Sequence, residues 1–167
     1  MTWCRIRAAR VNDAGRLTQI AARATKHEGG YDDAAIARFM PGLKINLALI
    51  AAGLVFVAED EAGIPCGHVA LRPTGMGGLV LLEGLFVDPA SSRGGVGRRL
   101  FATAVEHARK MAGNVILIYS SPHSTGFYAR QGAIRIGATP FVFSPEVQLS
   151  MFAFSIPTLG EDGVGEA

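Results

Sequence analysis

The chain has 167 residues, 49% of them hydrophobic, a formal net charge of +2 and two cysteines. That length suits one domain with its own core. So small a charge argues against a nucleic-acid partner, the densest basic group being Arg93, Arg98 and Arg99. Cys4 and Cys66 cannot build a disulfide framework, and no Cys/His spacing suggests zinc, so no metal is expected.

A mean hydropathy of +0.28 raises the question of a membrane span. The best stretch, "INLALIAAGLVFVA" (45–58), is shorter than the ~20 apolar residues a spanning helix needs. It contains Asn46 and Gly53 and reads better as a helix end followed by a strand. The opening "MTWCRIRAARVND" has neither an apolar run nor a cleavage site, so no secretory signal and no membrane partner are expected. A cytoplasmic location is the default expectation.

In chain order, "CRIRAAR" (4–10) alternates and predicts a first strand, with Asn12 and Asp13 as turn and helix cap. Leu17, Ile20, Ala21 and Ala24 recur at helical spacing in "AGRLTQIAARATKHEG", which Gly29 and Gly30 stop. "DDAAIARFM" predicts a second short helix broken at Pro41 and Gly42, and a further helical piece spans 43–52. "LVFVAED" and "CGHVALRP" predict a hairpin around Gly63, Ile64 and Pro65. "LVLLEGLFV" (79–87) reads as a long strand buried on both faces for most of its length, with Gly84 marking a bulge or a close backbone approach.

The clearest element is the next helix, with Val96, Leu100, Phe101, Ala104, Val105, Ala108 and Met111 on one face. Arg98, Arg99, His107, Arg109 and Lys110 fall opposite. "NVILIYSS" predicts a strand parallel to 79–87, because a helix joins the two. A short helix then starts at Ser121 and Pro122 and ends before Gly132. "AIRIGAT" and "VQLSMFAFSI" alternate and predict a closing antiparallel pair, whose last strand could extend the sheet across a homodimer interface. The domain is expected over residues 1–156. The tail 157–167, with glycines and acids but no apolar stripe, is expected to be disordered. The fold class is α+β, with a mixed, mostly antiparallel sheet.

The stretch "LFVDPASSRGGVGRRL" (85–100) carries the chemistry. A nucleotide P-loop needs Lys-Ser/Thr after its last glycine, whereas Gly97 precedes Arg98 and Arg99. A dinucleotide fingerprint needs G-x-G-x-x-G directly off the first strand, and the spacing here is different. What remains is physical: Gly94, Gly95 and Gly97 allow close backbone approach, and free amides at a helix start point at an anion. One βα unit later comes "SSPHSTGFYARQGA" (120–133).

Together these stretches resemble the GNAT superfamily of N-acetyltransferases. The motif residues are Val87-Asp88-Pro89, Ser92-x-x-Gly95-x-Gly97 and Phe127-Tyr128-x-x-x-Gly132, at family spacing and without insertions. The predicted order of strands and helices fits from about residue 6 to 156. One departure is Ser92, where the family usually carries arginine or glutamine; the arginine here is Arg93.

The resemblance implies a three-layer α/β/α fold with six to seven strands, splayed between the fourth and fifth. It implies acetyl-CoA as cosubstrate. The amides of Arg93, Gly94, Gly95, Val96, Gly97 and Arg98, with Ser92 beside them, would cradle the pyrophosphate. Main-chain groups of Phe86 and Val87 would pair with the pantetheine arm, with Ser121 and Ser124 on the other wall. Tyr128 matches the general acid that protonates the departing thiolate.

The acceptor would be an amine, of a small molecule or a protein. An ammonium of pKa ~10.4 is mostly charged at pH 7, a deficit of ~4.6 kcal/mol, so the site must remove its proton. Glu83, the only charge in "LVLLEGLFV", is the base candidate, and burial there would raise its pKa. Family acceptor pockets are built by the first helices and the last loop. Here these are "KHEGGYDD" (26–33) and "TPFVFSPE" (139–146), with Glu28, Asp32 and Asp33 to meet a cation and Phe141 and Phe143 to wall an apolar part. His68 and His123 read as structural. The rival reading is a noncatalytic acyl-CoA-binding sensor that keeps the loop without the chemistry.

Overall fold

The computed structural model describes residues 4–158; most of the expected tail lies outside them. Its strands are β1 (Arg5–Ala8), β2 (Val55–Glu59), β3 (Pro65–Pro73), β4 (Leu79–Val87), β5 (Val115–Ser120), β6 (Ile134–Phe141) and β7 (Ser144–Ser155). The helices are α1 (Ala14–Gly29), α2 (Asp33–Leu43), α3 (Leu47–Ala51), α4 (Val96–Lys110) and α5 (Thr125–Arg130). No helix among the described residues is long and apolar enough to cross a membrane.

One seven-stranded sheet runs β1-β2-β3-β4-β5-β7-β6, antiparallel throughout except for the β4–β5 pair. The period of two in β2 and β3 divides the core between the sheet's faces. Phe56, Ala58, Val69 and Leu71 pack with Val96, Leu100, Phe101, Ala104 and Ala108 of α4. Their neighbours Val55, Val57 and Ala70 pack with Leu17 and Ile20 of α1 on the opposite face. Helices on both faces make the three expected layers. A third cluster joins Ala21 of α1 to Ala35, Phe39 and Leu43 of α2.

β4 and β5 pair only from Leu79↔Val115 to Leu82↔Ile118. Beyond that point the strands splay, and residues 83–87 keep only their β3 neighbour. A bulge coincides with the parting: Ala70 pairs with Gly84 and Leu71 with Leu82, leaving Glu83 as the extra residue. The bulge expected at Gly84 is therefore centred one residue earlier.

Other expectations need correction. β4 is buried only at Val80–Leu82; Glu83 is exposed and residues 84–87 are half-buried, because the splay removes the neighbour that would have covered them. α2 is not broken at Pro41 but runs to Leu43, since a proline in the last turn forfeits little of the helical hydrogen bonding. The chain then turns extended at Lys44, and α3 begins only at its Asn46 cap, whose side chain accepts from the Ala48 amide. α5 starts at Thr125 rather than Ser121. His107 is not on a free polar face: its ring lies 4.0 Å from that of Phe56. Finally, β7 is not an outer strand: it lies between β5 and β6 and is paired with both over residues 150–153. The outer strands are β1 and β6.

Candidate active site

The splay opens a groove between the end of β4 and the α4 and α5 starts. It is lined by Leu85, Val87, Gly95, Gly97, Arg98, Phe127 and Tyr128, among others. Gly95 caps α4 at φ +77°, a left-handed conformation that favours glycine. At Gly97 a Cβ would stand 3.4 Å from the Phe127 ring and 3.7 Å from a Val87 methyl, so the backbone lies close to both groove walls. The first bond reaching back from the helix is Arg99 N–H to Gly95 C=O at 3.2 Å. The amides of Val96, Gly97 and Arg98 therefore precede any helical acceptor, and they carry the positive end of a 15-residue helix.

The loop residues divide by what they do. The Val96 side chain is fully buried and offers only its backbone. The Gly94 N–H is spent on Ser91 C=O at 3.3 Å. Ser92 lines the groove, but its hydroxyl donates back to Pro89 C=O at 3.0 Å. Arg98 lines the groove, whereas Arg93 is exposed outside the groove lining. Arg99 is taken out of the basic cluster: its guanidinium donates to Cys4 C=O at 2.5 Å.

Asp88 holds this loop against α1, a role its place in the sequence did not reveal. The carboxylate is buried, and one oxygen lies 3.2 Å from both Arg16 and Arg23 of α1. The other accepts from the Ala90 amide at 3.2 Å, and Arg16 also reaches Pro65 C=O at 3.3 Å.

A second cavity of about 240 Å³ adjoins the groove. Its walls come from the C-terminal end of α1, from α2, from the parted ends of β4 and β5, and from β6 and β7. Glu28, Leu85, His123, Ser124 and Tyr128 line both spaces and mark where they meet. Tyr128 is 6% exposed; burial first, and the negative field of Glu28 second, push its phenol well above the usual range. Ser124 heads α5 without capping it. Its hydroxyl donates to Glu28 at 3.2 Å and lies 3.0 Å from that of Ser121.

Glu83 lines the cavity as expected, yet it is not the buried carboxylate foreseen. It is exposed and paired with Arg72 at 2.6 Å across the β3–β4 hairpin. Of the expected acceptor residues, Glu28 and Phe141 line the cavity. Asp32 caps α2, accepting from the Ala35 amide at 2.7 Å, and Asp33 pairs with Lys26 at 2.5 Å. Phe143 packs beside Phe141 with ring centres 5.4 Å apart. Tyr31, Phe39 and Tyr119 also line the cavity and were not singled out from sequence. For Phe39 a signal existed, since Ala35, Phe39 and Leu43 share one helix face. His123 lines the groove and the cavity. His68, by contrast, is fully enclosed beside Phe86, with an unpartnered Nδ1.

A splayed mixed sheet with a glycine-started helix at the split is an arrangement shared with solved acetyltransferase structures. Residues 51–132 match the acetyltransferase (GNAT) domain family. The chain is also 37% identical over 98 residues to glucosamine 6-phosphate N-acetyltransferase 1 from Oryza sativa subsp. japonica, covering 52% of this chain and 56% of that relative. An N-acetyltransferase structure from Rhodopseudomonas palustris superposes with a TM-score of 0.76 at 17% identity, over 93% of this chain and 97% of that one. A putative acetyltransferase from Salmonella typhimurium, solved with acetyl-CoA, gives 0.69 at 20% identity, over 95% and 97%. An N-acetyltransferase from Thermoplasma acidophilum, in complex with coenzyme A, gives 0.73 at 16% identity, over 92% and 99%. Residues 51–132, about half of the chain, are thus similar to the GNAT acetyltransferase domain, and the fold as a whole is similar to these acetyltransferase structures.

Proposed function

We propose that the protein is an N-acetyltransferase that moves an acetyl group from acetyl-CoA to an amine by direct attack, with Tyr128 as general acid. The observation that carries this reading is that Tyr128 lines both the groove and the cavity at their junction.

The residues suit the cosubstrate. Free amides at Val96, Gly97 and Arg98, with the Arg98 side chain beside them, answer the charge of a pyrophosphate. The unpaired edge of β4 at Phe86 and Val87 leaves main-chain groups for an extended amide-bearing arm. Ser121 and Ser124 stand on the facing wall. The Gly94 amide and the Ser92 hydroxyl are engaged within the loop, which leaves the amides of Arg93, Gly95, Val96, Gly97 and Arg98 for the cradle.

Acetyl-CoA, when bound, supplies a thioester whose carbonyl carbon bonds to the amine nitrogen as its bond to sulfur breaks. The Tyr128 phenol, held protonated by its burial, donates its hydrogen bond where negative charge develops on the leaving sulfur. Two carboxylates line the cavity that receives the amine, Glu83 and Glu28. Glu83 is paired with Arg72 at 2.6 Å. Glu28 stands at the junction with Tyr128 and accepts from Ser124. Either accepts the proton that the amine must lose before it can attack, directly or through water.

The reading is tested by calorimetry for acetyl-CoA binding together with thiol release across an amine panel. Binding with amine-dependent release of coenzyme A is the expected result. Binding without release from any amine would overturn the catalytic reading in favour of an acyl-CoA sensor.

A further inference from the structure

The walls of the acceptor cavity have a composition that selects among amines. Tyr31, Phe39 and Phe141 interlock edge to face, with ring centres 5.0 Å apart for Tyr31–Phe39 and 5.3 Å for Phe39–Phe141. Phe86, Tyr119 and Tyr128 add aromatic surface from β4, β5 and α5. The cavity is also small, about 240 Å³, at or below the low end of ordinary ligand pockets.

Its charges are one-sided. Among the described residues no lysine or arginine lines it, and the acidic lining residues are Glu28 and Glu83. Arg72 offsets Glu83 at 2.6 Å, whereas Glu28 receives one hydroxyl hydrogen bond and, among the described residues, no lysine or arginine pairs with it. Glu28 is also the carboxylate at the junction with the groove. A cation entering the cavity thus meets its counter-charge at the end where acetyl transfer would occur, and aromatic faces along the way favour a cation further. A phosphate or carboxylate would face Glu28 with no lining cation to receive it, the Arg72 guanidinium being already engaged by Glu83.

We propose that the acceptor is a small primary amine with an apolar, ring-sized body and no anionic group. Glu28 receives its ammonium, and Tyr31, Phe39 and Phe141 hold its body. This rests on the acetyltransferase reading above and specifies its substrate class. It separates the chain from the relative named for glucosamine 6-phosphate, whose phosphate finds no partner in this cavity.

The test is thiol release by the full chain at saturating acetyl-CoA, with 2-phenylethylamine, phenylalanine, glucosamine 6-phosphate and a lysine-containing peptide. Phenylethylamine and phenylalanine share the ring and the amine, so the pair isolates the effect of a carboxylate. The proposal expects kcat/KM for phenylethylamine to exceed each of the others by tenfold or more. It also expects Glu28→Gln and Phe39→Ala each to raise KM for phenylethylamine about tenfold while KM for acetyl-CoA stays within twofold. Preference for glucosamine 6-phosphate, phenylalanine or the peptide overturns the substrate assignment and leaves the acetyltransferase reading standing. Release from none of the four, with acetyl-CoA bound, removes the assignment too, and further amines then decide the broader reading. The comparison of amines on the unsubstituted chain decides the proposal even where Phe39→Ala fails to fold.

Discussion

Tyr128 shows how much of a residue's chemistry comes from its surroundings. A free phenol titrates near ~10, but enclosed beneath the α5 turn and facing Glu28 it keeps its proton to higher pH. It is therefore a competent hydrogen-bond donor at any pH at which the protein would be assayed. Tyr128→Phe removes the donor and keeps the ring, so turnover should fall by about 10²-fold while calorimetry finds acetyl-CoA affinity nearly unchanged. Unaltered turnover would take Tyr128 out of the mechanism. His68 behaves oppositely. Burial with no counter-charge lowers its pKa from 6.5 to about 4. The unfolded chain then takes up a proton below pH ~6.5 that the folded chain refuses, so stability is complete above that pH and declines as pH falls toward 4. Urea melts should show a loss of about 3 kcal/mol across this window, and His68→Leu should flatten it. An equal decline in the variant would assign the effect to other groups.

At the scale of elements, the α4 start and the β4–β5 split act together. Pairing ends at Leu82↔Ile118, and the space so opened is the groove into which the first turn of α4 presents its amides. Gly97 is the point of closest approach. Its absent Cβ would make only ordinary contacts, at 3.4 Å to Phe127 and 3.7 Å to Val87, so alanine should be tolerated. Valine adds two methyl groups directed at walls already in contact, an overpacking of about 1–2 kcal/mol. Gly97→Val should raise KM for acetyl-CoA about tenfold, with Gly97→Ala close to the unsubstituted protein in steady-state kinetics. Equal effects from both would show that the groove wall is elsewhere. The bulge at Glu83 belongs to this scale as well. It ends the alternation of β4 at the splay and leaves that carboxylate exposed beside Arg72.

Across the whole molecule, Asp88 connects what the two layers supply. It leaves β4, caps the turn at Pro89–Ser91 and binds Arg16 and Arg23 on α1, the helix whose last turn carries Glu28. Groove loop and cavity wall are thus anchored on one buried carboxylate. Asp88→Ala should cost about 1–3 kcal/mol in chemical denaturation, since both arginines retain access to water. The informative result is kinetic: KM for acetyl-CoA and KM for the amine should rise together. A change in stability with both KM values unmoved would confine Asp88 to a structural role.

What the sequence determined by itself is what short range can encode. The helical spacing of Val96, Leu100, Phe101, Ala104 and Ala108, the alternation in β2 and β3, and the glycines before α4 each reflect residues a few positions apart. The motif around Gly95 and Gly97, with Tyr128 one unit later, was legible for the same reason. Local signals failed where the outcome depended on distant partners. β7 reads like any alternating strand, and only tertiary pairing inserts it between β5 and β6 rather than at an edge. Glu83 reads as a charge inside an apolar run, and only the splay and Arg72 make it exposed and paired. The meeting of Glu28, Ser124 and Tyr128 joins the end of α1 to α5, on opposite sides of the sequence. No local pattern encodes that approach. It follows from α1 and α2 packing on one face of the sheet while β4 and β5 part beneath them, and that arrangement makes the motif a site.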